Sequence, residues 1–210
     1  NNGIPDLRDT DSDDDLIPDL IETSTDTDGD GIPNYRDLDS DQDGISDRIE
    51  GYEDGDADLS PNFLDHDSDG DGIEDAIETY ADDDNDDLPN ANDLDSDGDA
   101  IPDTLESTND FDGDMIPNFR DRDADGDFIA DRFETINDRD NDGSPNYLDL
   151  DSDSDGIPDE IECGHQSIST APFNQDGDAL PNFLDHDSDN DFIADEHETS
   201  QDHDLDGLPN

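Results

Sequence analysis

Residues 39–50 read Asp39-Ser40-Asp41-Gln42-Asp43-Gly44-Ile45-Ser46-Asp47-Arg48-Ile49-Glu50, and the twelve residues 26–37 read Asp26-Thr27-Asp28-Gly29-Asp30-Gly31-Ile32-Pro33-Asn34-Tyr35-Arg36-Asp37. Both place short carboxylates at positions 1, 3 and 5 of a loop, an acid at position 12, and an apolar residue at position 7. They differ at position 9, which is Asp in the first type and Asn in the second. The first, long type recurs from Asp11, Asp39, Asp67, Asp95, Asp123, Asp151 and Asp187. The second, short type recurs from Asp26, Asp54, Asp82, Asp110, Asp138 and Asn174. Each series steps by 28 residues, except across an eight-residue insertion between Glu162 and Asn174. A fixed period of this size marks a repeat array in which each unit packs on its neighbours. The array runs over residues 1–210 as one continuous domain, with 163–173 as an insertion between loops. Both ends fall inside a loop, and these residues are expected to be a window on a longer array.

Composition excludes an ordinary globule. The 210 residues hold 70 Asp plus Glu against 7 Lys plus Arg, a formal net charge of −63, with 26% hydrophobic residues and no Trp. Such a chain cannot bury enough apolar surface to offset its ordering entropy, and its carboxylates repel one another. Regularly spaced carboxylates therefore need an external counter-charge. Nucleic acid and anionic membrane surfaces have the wrong sign for this chain. No apolar run is long enough to span a membrane.

The spacing points to Ca²⁺, which takes six to eight oxygen ligands from carboxylates, carbonyls and water. Asp at positions 1, 3 and 5 lines one side of a curled backbone, Gly at position 6 permits the turn, and the residue at position 12 closes the cage. The ligand set expected in the long loops is Asp11, Asp13, Asp15, Asp19 and Glu22; Asp39, Asp41, Asp43, Asp47 and Glu50; and Asp67, Asp69, Asp71, Asp75 and Glu78. It continues with Asp95, Asp97, Asp99, Asp103 and Glu106; Asp123, Asp125, Asp127, Asp131 and Glu134; Asp151, Asp153, Asp155, Asp159 and Glu162; and Asp187, Asp189, Asp191, Asp195 and Glu198. In the short loops it is Asp26, Asp28, Asp30, Asn34 and Asp37; Asp54, Asp56, Asp58, Asn62 and Asp65; and Asp82, Asp84, Asp86, Asn90 and Asp93. Asp110, Asp112, Asp114, Asn118 and Asp121 follow, then Asp138, Asp140, Asp142, Asn146 and Asp149, then Asn174, Asp176, Asp178, Asn182 and Asp185. Asp9 closes a partial loop at the start, and Asp202, Asp204 and Asp206 open another at the end. Thirteen divalent ions would remove 26 of the 63 negative charges and twenty-six would remove 52, so one or two ions per loop are expected. An EF-hand is excluded, because two or three residues separate successive loops and leave no room for the flanking helices.

The tandem D-x-D-x-D-G-I-x-D-x-x-[DE] runs, which cover nearly the whole chain, closely resemble thrombospondin type 3 repeats. The resemblance implies an irregular chain with little regular secondary structure, wrapped around a line of Ca²⁺ ions. Members of that family in animals carry disulfides between repeats, whereas this chain has one Cys. A bacterial-type, cysteine-poor array is the closer likeness.

Secondary positions carry two readings each. Ile or Leu at position 7, the aromatics Tyr35, Phe63, Phe119, Tyr147 and Phe183 at short-loop position 10, and Ile21, Ile49, Ile77, Leu105, Phe133 and Ile161 at long-loop position 11 are expected to pack between units. A ligand-binding aromatic strip is the competing reading. Asn at position 9 is expected to serve as a turn residue, a ligand, or both. Ser12, Ser40, Ser68, Ser96, Ser152 and Ser188 at position 2 are expected to expose their hydroxyls, as small turn residues or as O-glycosylation acceptors. Cys163 and His165 are two residues short of a zinc site, and an isolated thiol is inert or a route to an intermolecular disulfide. His66 and His186 are expected to be solvated.

The function expected is an extracellular or cell-surface calcium-binding structural protein, an elongated rod that serves as spacer or fibre component. Further copies or a continuation of the same array would be its partners. The alternatives are the stalk of a surface adhesin and a calcium-storing or mineral-nucleating matrix protein. Catalysis is not expected, since acid–base work needs a carboxylate desolvated against an apolar wall.

Overall fold

A computed structural model describes residues 9–198. Asp202, Asp204 and Asp206 and the side chain of Glu198 lie outside the described part. Regular structure is confined to single turns, and there is no strand among the described residues. Seven four-residue α-turns are present: α1 (Asp19–Glu22), α2 (Asp47–Glu50), α3 (Asp75–Glu78), α4 (Asp103–Glu106), α5 (Asp131–Glu134), α6 (Asp159–Glu162) and α7 (Asp195–Glu198). Each spans positions 9–12 of a long loop. Between them lie six three-residue 3₁₀ turns, such as Asn34–Arg36 and Asn118–Arg120, at positions 9–11 of the short loops. The irregular 28-residue repeat expected from the sequence is the architecture found. The chain divides into two compact units, 1–96 and 97–210.

Every turn starts after a residue in extended conformation, often Pro. Pro18, Pro33, Pro61 and Pro117 precede turns with φ between −70° and −78°, a value their rings impose. The loop is then closed by one long-reaching backbone bond. The N–H of residue 9 donates to the carbonyl nine residues back, as in Asp47 to Leu38 (3.1 Å), Asn34 to Thr25 (2.7 Å) and Asn146 to Asn137 (2.6 Å).

Inside the ring, positions 4 and 6 both lie in the left-handed region. Glycine takes that conformation without penalty, and Gly31 and Gly44 do so at φ 101°. The expectation of Gly at position 6 is too narrow, because Leu16 (89°), Leu59 (89°), Asp87 (84°), Ala100 (81°), Met115 (84°), Phe128 (79°) and Phe192 (76°) hold the same conformation there. Each such residue costs about 1–2 kcal/mol, so something outside the backbone must hold these loops in shape.

The apolar contacts are small and come one per junction. Phe63, Phe119 and Phe183 are wholly buried and Tyr147 nearly so, as packing between units requires. Each α-turn sits against the 3₁₀ turn that follows it. In the second unit Ile101, Ala124 and Tyr147 form one cluster, and Ile129, Cys163 and Phe183 another. At position 7 of the long loops Ile17, Ile45, Ile73, Ile101, Ile129 and Ile157 are buried and Ile193 is exposed, whereas in the short loops Ile32, Leu88 and Ile116 are exposed. The position 11 residues Ile21, Ile49, Ile77, Leu105 and Ile161 are also largely exposed. Packing between units was expected of them; instead the α-turn directs position 12 inward and leaves these five on the surface, while Phe133 at the same position packs against Ile129, Cys163 and Phe183 as expected. The insertion folds back on its own unit, where the Phe173 N–H donates to the Cys163 carbonyl (3.2 Å) and the Arg132 guanidinium to the Ile168 carbonyl (2.7 Å).

Left-handed strain at an exposed side chain gives a direct test. Met115 is 90% exposed at φ 84°, so Met115→Gly trades strain for some chain entropy and is expected to stabilise the folded chain by about 1 kcal/mol. Gly31→Ala, where an added Cβ meets nothing within 4 Å, is expected to cost about 1–2 kcal/mol through φ alone. Thermal unfolding in saturating calcium reads both.

Candidate metal centres

In the long loop 11–22 the Asp residues at positions 1, 3 and 5 divide their labour, one oxygen folding the loop and the other left without a hydrogen bond. Asp26, at position 1 of a short loop, instead spends both, on the Gly29 and Gly31 N–H groups. In loop 11–22 the Leu16 N–H donates to Asp11 Oδ2 (3.2 Å), the Asp15 N–H to Asp13 Oδ1 (3.4 Å) and the Ile17 N–H to Asp15 Oδ1 (2.6 Å). The remaining atoms, Asp11 Oδ1, Asp13 Oδ2, Asp15 Oδ2 and both oxygens of Glu22, are buried and accept nothing. Five such oxygens supply most of the six to eight that calcium takes. Loop 151–162 repeats the pattern, with Asp151 Oδ1, Asp153 Oδ2, Asp155 Oδ2 and Glu162 Oε2 left over. Loop 123–134 does so with Asp125 Oδ2, Asp127 Oδ2 and both oxygens of Glu134.

Buried acceptors in native proteins are satisfied, and unpaired buried charge is among the costliest things a fold can carry. Mutually facing, orphaned carboxylates fit a divalent cation, whose charge and oxygen preference answer both deficits. The acidic groups Asp11–Asp13–Asp15, Asp39–Asp41–Asp43 and Asp26–Asp28–Asp30 each bring ligand oxygens within 4.8 Å of one another. A cation there would neutralise the cluster and close the loop around it. Each of these long-loop groups has one buried and two half-buried Asp, whereas Asp26 and Asp30 are exposed, so the two loop types offer different environments. Short-loop closure by position 12 is visible in the burial and like-charge neighbours of Asp37, Asp65, Asp93, Asp121, Asp149 and Asp185, which raise their proton affinity.

Titration reports the same frustration. Burial, and then neighbouring carboxylates, push Glu22 up to about 9, Glu50 to about 10, and Glu106 and Glu162 to about 11. Glu134 is driven well above the usual range by burial and by Asp125 and Asp127. Asp13 and Asp153 rise to about 7, Asp41 to about 8 and Asp125 to about 10, again chiefly through burial.

Several expected site residues have other employment. The position 9 side chain braces its loop. Asp47 accepts from the Ser40 N–H (2.7 Å) and Ser40 Oγ (2.6 Å), and Asp75 from the Ser68 N–H (2.8 Å) and Ser68 Oγ (2.7 Å). The short-loop Asn does the same with Oδ1, which accepts from the position 2 N–H in Asn34, Asn62, Asn118 and Asn146. Their Oδ1 is therefore committed to the loop, and the turn reading of Asn accounts for its contacts. Ser40, Ser68, Ser96 and Ser152 are buried, which overturns the expectation of exposed hydroxyls on which a glycan-acceptor role depended. Sequence reasoning missed this brace, although Ser at position 2 recurs with Asp at position 9 and pointed to it.

Cys163 and His165 do not converge. The thiol is buried and donates to the carbonyls of Glu160 (3.2 Å) and His165 (2.9 Å), while His165 Nε2 lies 3.1 Å from the Ala171 carbonyl. That burial fits an inert thiol and removes the route to an intermolecular disulfide. His66 and His186 are not merely solvated: their Nδ1 atoms lie 3.5 Å from Asp41 and Asp153 Oδ2. No family model and no curated protein matches the chain.

Because the raised carboxyls bind protons more tightly when folded, proton-linked stability is fully present below about pH 4, drains as pH rises above it, and is lost for each group once pH passes its folded value of about 7 to 11. In chelator the chain is expected to become more compact on acidification from pH 8 to 4, read as a falling hydrodynamic radius. Glu134→Gln removes one buried charge, so it is expected to stabilise the chelated chain while weakening calcium binding at its loop about tenfold or more. Calorimetric titration beside chemical denaturation in EDTA checks the opposite signs.

Proposed function

We propose that this chain is an extracellular, calcium-dependent structural array of the thrombospondin type 3 kind, in which Ca²⁺ supplies the cohesion that an apolar core gives other proteins. The observation that carries this reading is the set of buried, orphaned, inward-facing carboxylate oxygens repeated from loop to loop. Calcium is favoured over magnesium because the donors are many, flexible and all oxygen, whereas magnesium demands a strict octahedron and sheds its water reluctantly. Sites of extracellular modules bind in the range of about 10⁻⁴–10⁻³ M. Cytosolic calcium would leave such loops empty, and secretion would fill them, so binding energy becomes folding energy on export.

Each unit contacts its neighbours alone, so the array can be lengthened without redesign. A calcium-stiffened rod, acting as spacer or fibre component, uses that property. The exposed position 11 residues leave room for lateral contact with further copies. No catalytic role is proposed.

Small-angle scattering with calcium and with EDTA tests the reading. The expected result is a stiff, elongated particle in calcium and an expanded coil in EDTA. Superimposable profiles in the two buffers would remove it.

A further inference from the structure

The residue between each short loop and the long loop after it alternates in character. Leu38, Leu94 and Leu150 take that place in one set of repeats, and His66, Arg122 and His186 in the other. The basic residues reach back to the preceding long loop. His66 Nδ1 lies 3.5 Å from Asp41 Oδ2, His186 Nδ1 lies 3.5 Å from Asp153 Oδ2, and Arg122 Nε donates to the Asp97 carbonyl (2.6 Å). Asp41, Asp97 and Asp153 all occupy position 3 of their loops. The second histidine keeps this register although the insertion lies between Asp153 and His186.

Both histidines face unsatisfied oxygens. Asp41 is 3% exposed and Asp153 1%, and the Oδ2 of each is buried with no hydrogen-bond partner. In the same loops Asp39 Oδ1 and Asp43 Oδ2, and Asp151 Oδ1 and Asp155 Oδ2, are orphaned in the same way. Each ring therefore adds one nitrogen beside three carboxylate oxygens. More than half of each histidine side chain is open to solvent, and His66 lines a cleft of about 400 Å³ together with Asp41 and Asp43. A separation of 3.5 Å is long for a hydrogen bond. It fits two ligands of one tetrahedral ion, which stand about 3.4 Å apart when each is about 2.1 Å from the metal. Calcium takes oxygen ligands, so an imidazole adds nothing to a calcium site. Nitrogen beside carboxylate suits zinc and its first-row neighbours instead.

We propose that loops 39–50 and 151–162 are mixed nitrogen–oxygen sites for a borderline transition ion such as Zn²⁺, held by His66 with Asp39, Asp41 and Asp43 in one and by His186 with Asp151, Asp153 and Asp155 in the other. The assignment goes beyond the calcium reading, which it leaves in place for the loops without a histidine. Arg122 does not bring loop 95–106 into this class, because a guanidinium offers no acceptor to a metal. Imidazole ligation lets these two loops keep an ion at calcium concentrations that empty their neighbours.

Native mass spectrometry of the full chain, in saturating calcium with a small molar excess of Zn²⁺, counts the zinc ions. The parent is expected to hold two, His66→Gln one, and the double variant H66Q/H186Q none. Leu38→His sets a ring 25 residues after Asp13, the spacing of His66 from Asp41, at an exposed position. It is expected to hold three. A parent that takes up no zinc overturns the site. So does a count that H66Q and H186Q leave unmoved, which would put the zinc on carboxylates or on other histidines. A count of two in L38H overturns it as well, since a ring beside three orphaned oxygens would then not suffice. A parent that holds its zinc but no calcium would instead sink the calcium reading and spare this one.

Discussion

Buried carboxylates aimed at one another are the constraint on which the rest of this structure depends. A single ionised carboxylate out of water costs several kcal/mol even after relaxation, and Asp13, Asp15 and Glu22 of one loop each keep buried oxygens without a hydrogen-bond partner. Two agents can relieve this, protons or a multivalent cation. The upward shift of Glu22 to about 9 and of Glu50 to about 10 expresses the proton route. Near neutral pH a divalent cation would supply charge and ligand demand together, and it alone would use the inward geometry.

The backbone is arranged to make that geometry obligatory. In loop 11–22 backbone bonds at positions 1, 3 and 5 commit one oxygen of each Asp to the turn and leave the other buried without a hydrogen-bond partner. Left-handed residues at positions 4 and 6, including Leu16, Ala100 and Phe128, store backbone strain. Strain that persists must be over-determined by its surroundings. The apolar contribution is too thin to be the agent, since it consists of one aromatic such as Phe119 at a junction with a few aliphatic neighbours.

Much of this was legible in the sequence because the ligand positions are a pattern of residue types at fixed spacing. The period, the two loop types, the scarcity of regular structure and the junction aromatics all follow from that spacing. What the sequence concealed depends on direction rather than type. Ile at position 7 is buried in Ile45 and exposed in Ile32, although the residue and its spacing are the same. Ser40 reads as a surface turn residue until the fold sets it against Asp47. Position 9 reads as a ligand of its own loop in a linear pattern, and only the folded chain sets Asp47 beside Glu22, 25 residues before it.

The most direct measurement of whether cations hold the fold together is amide hydrogen exchange at the ring-closing N–H groups of residues such as Asn34, Asp47, Asn118 and Asn146. With calcium bound these amides should be protected together, and after exhaustive EDTA treatment at neutral pH they should exchange at the rate of an unstructured chain. Protection that survives EDTA would contradict the account, because the rings would then be closed by something other than the metal.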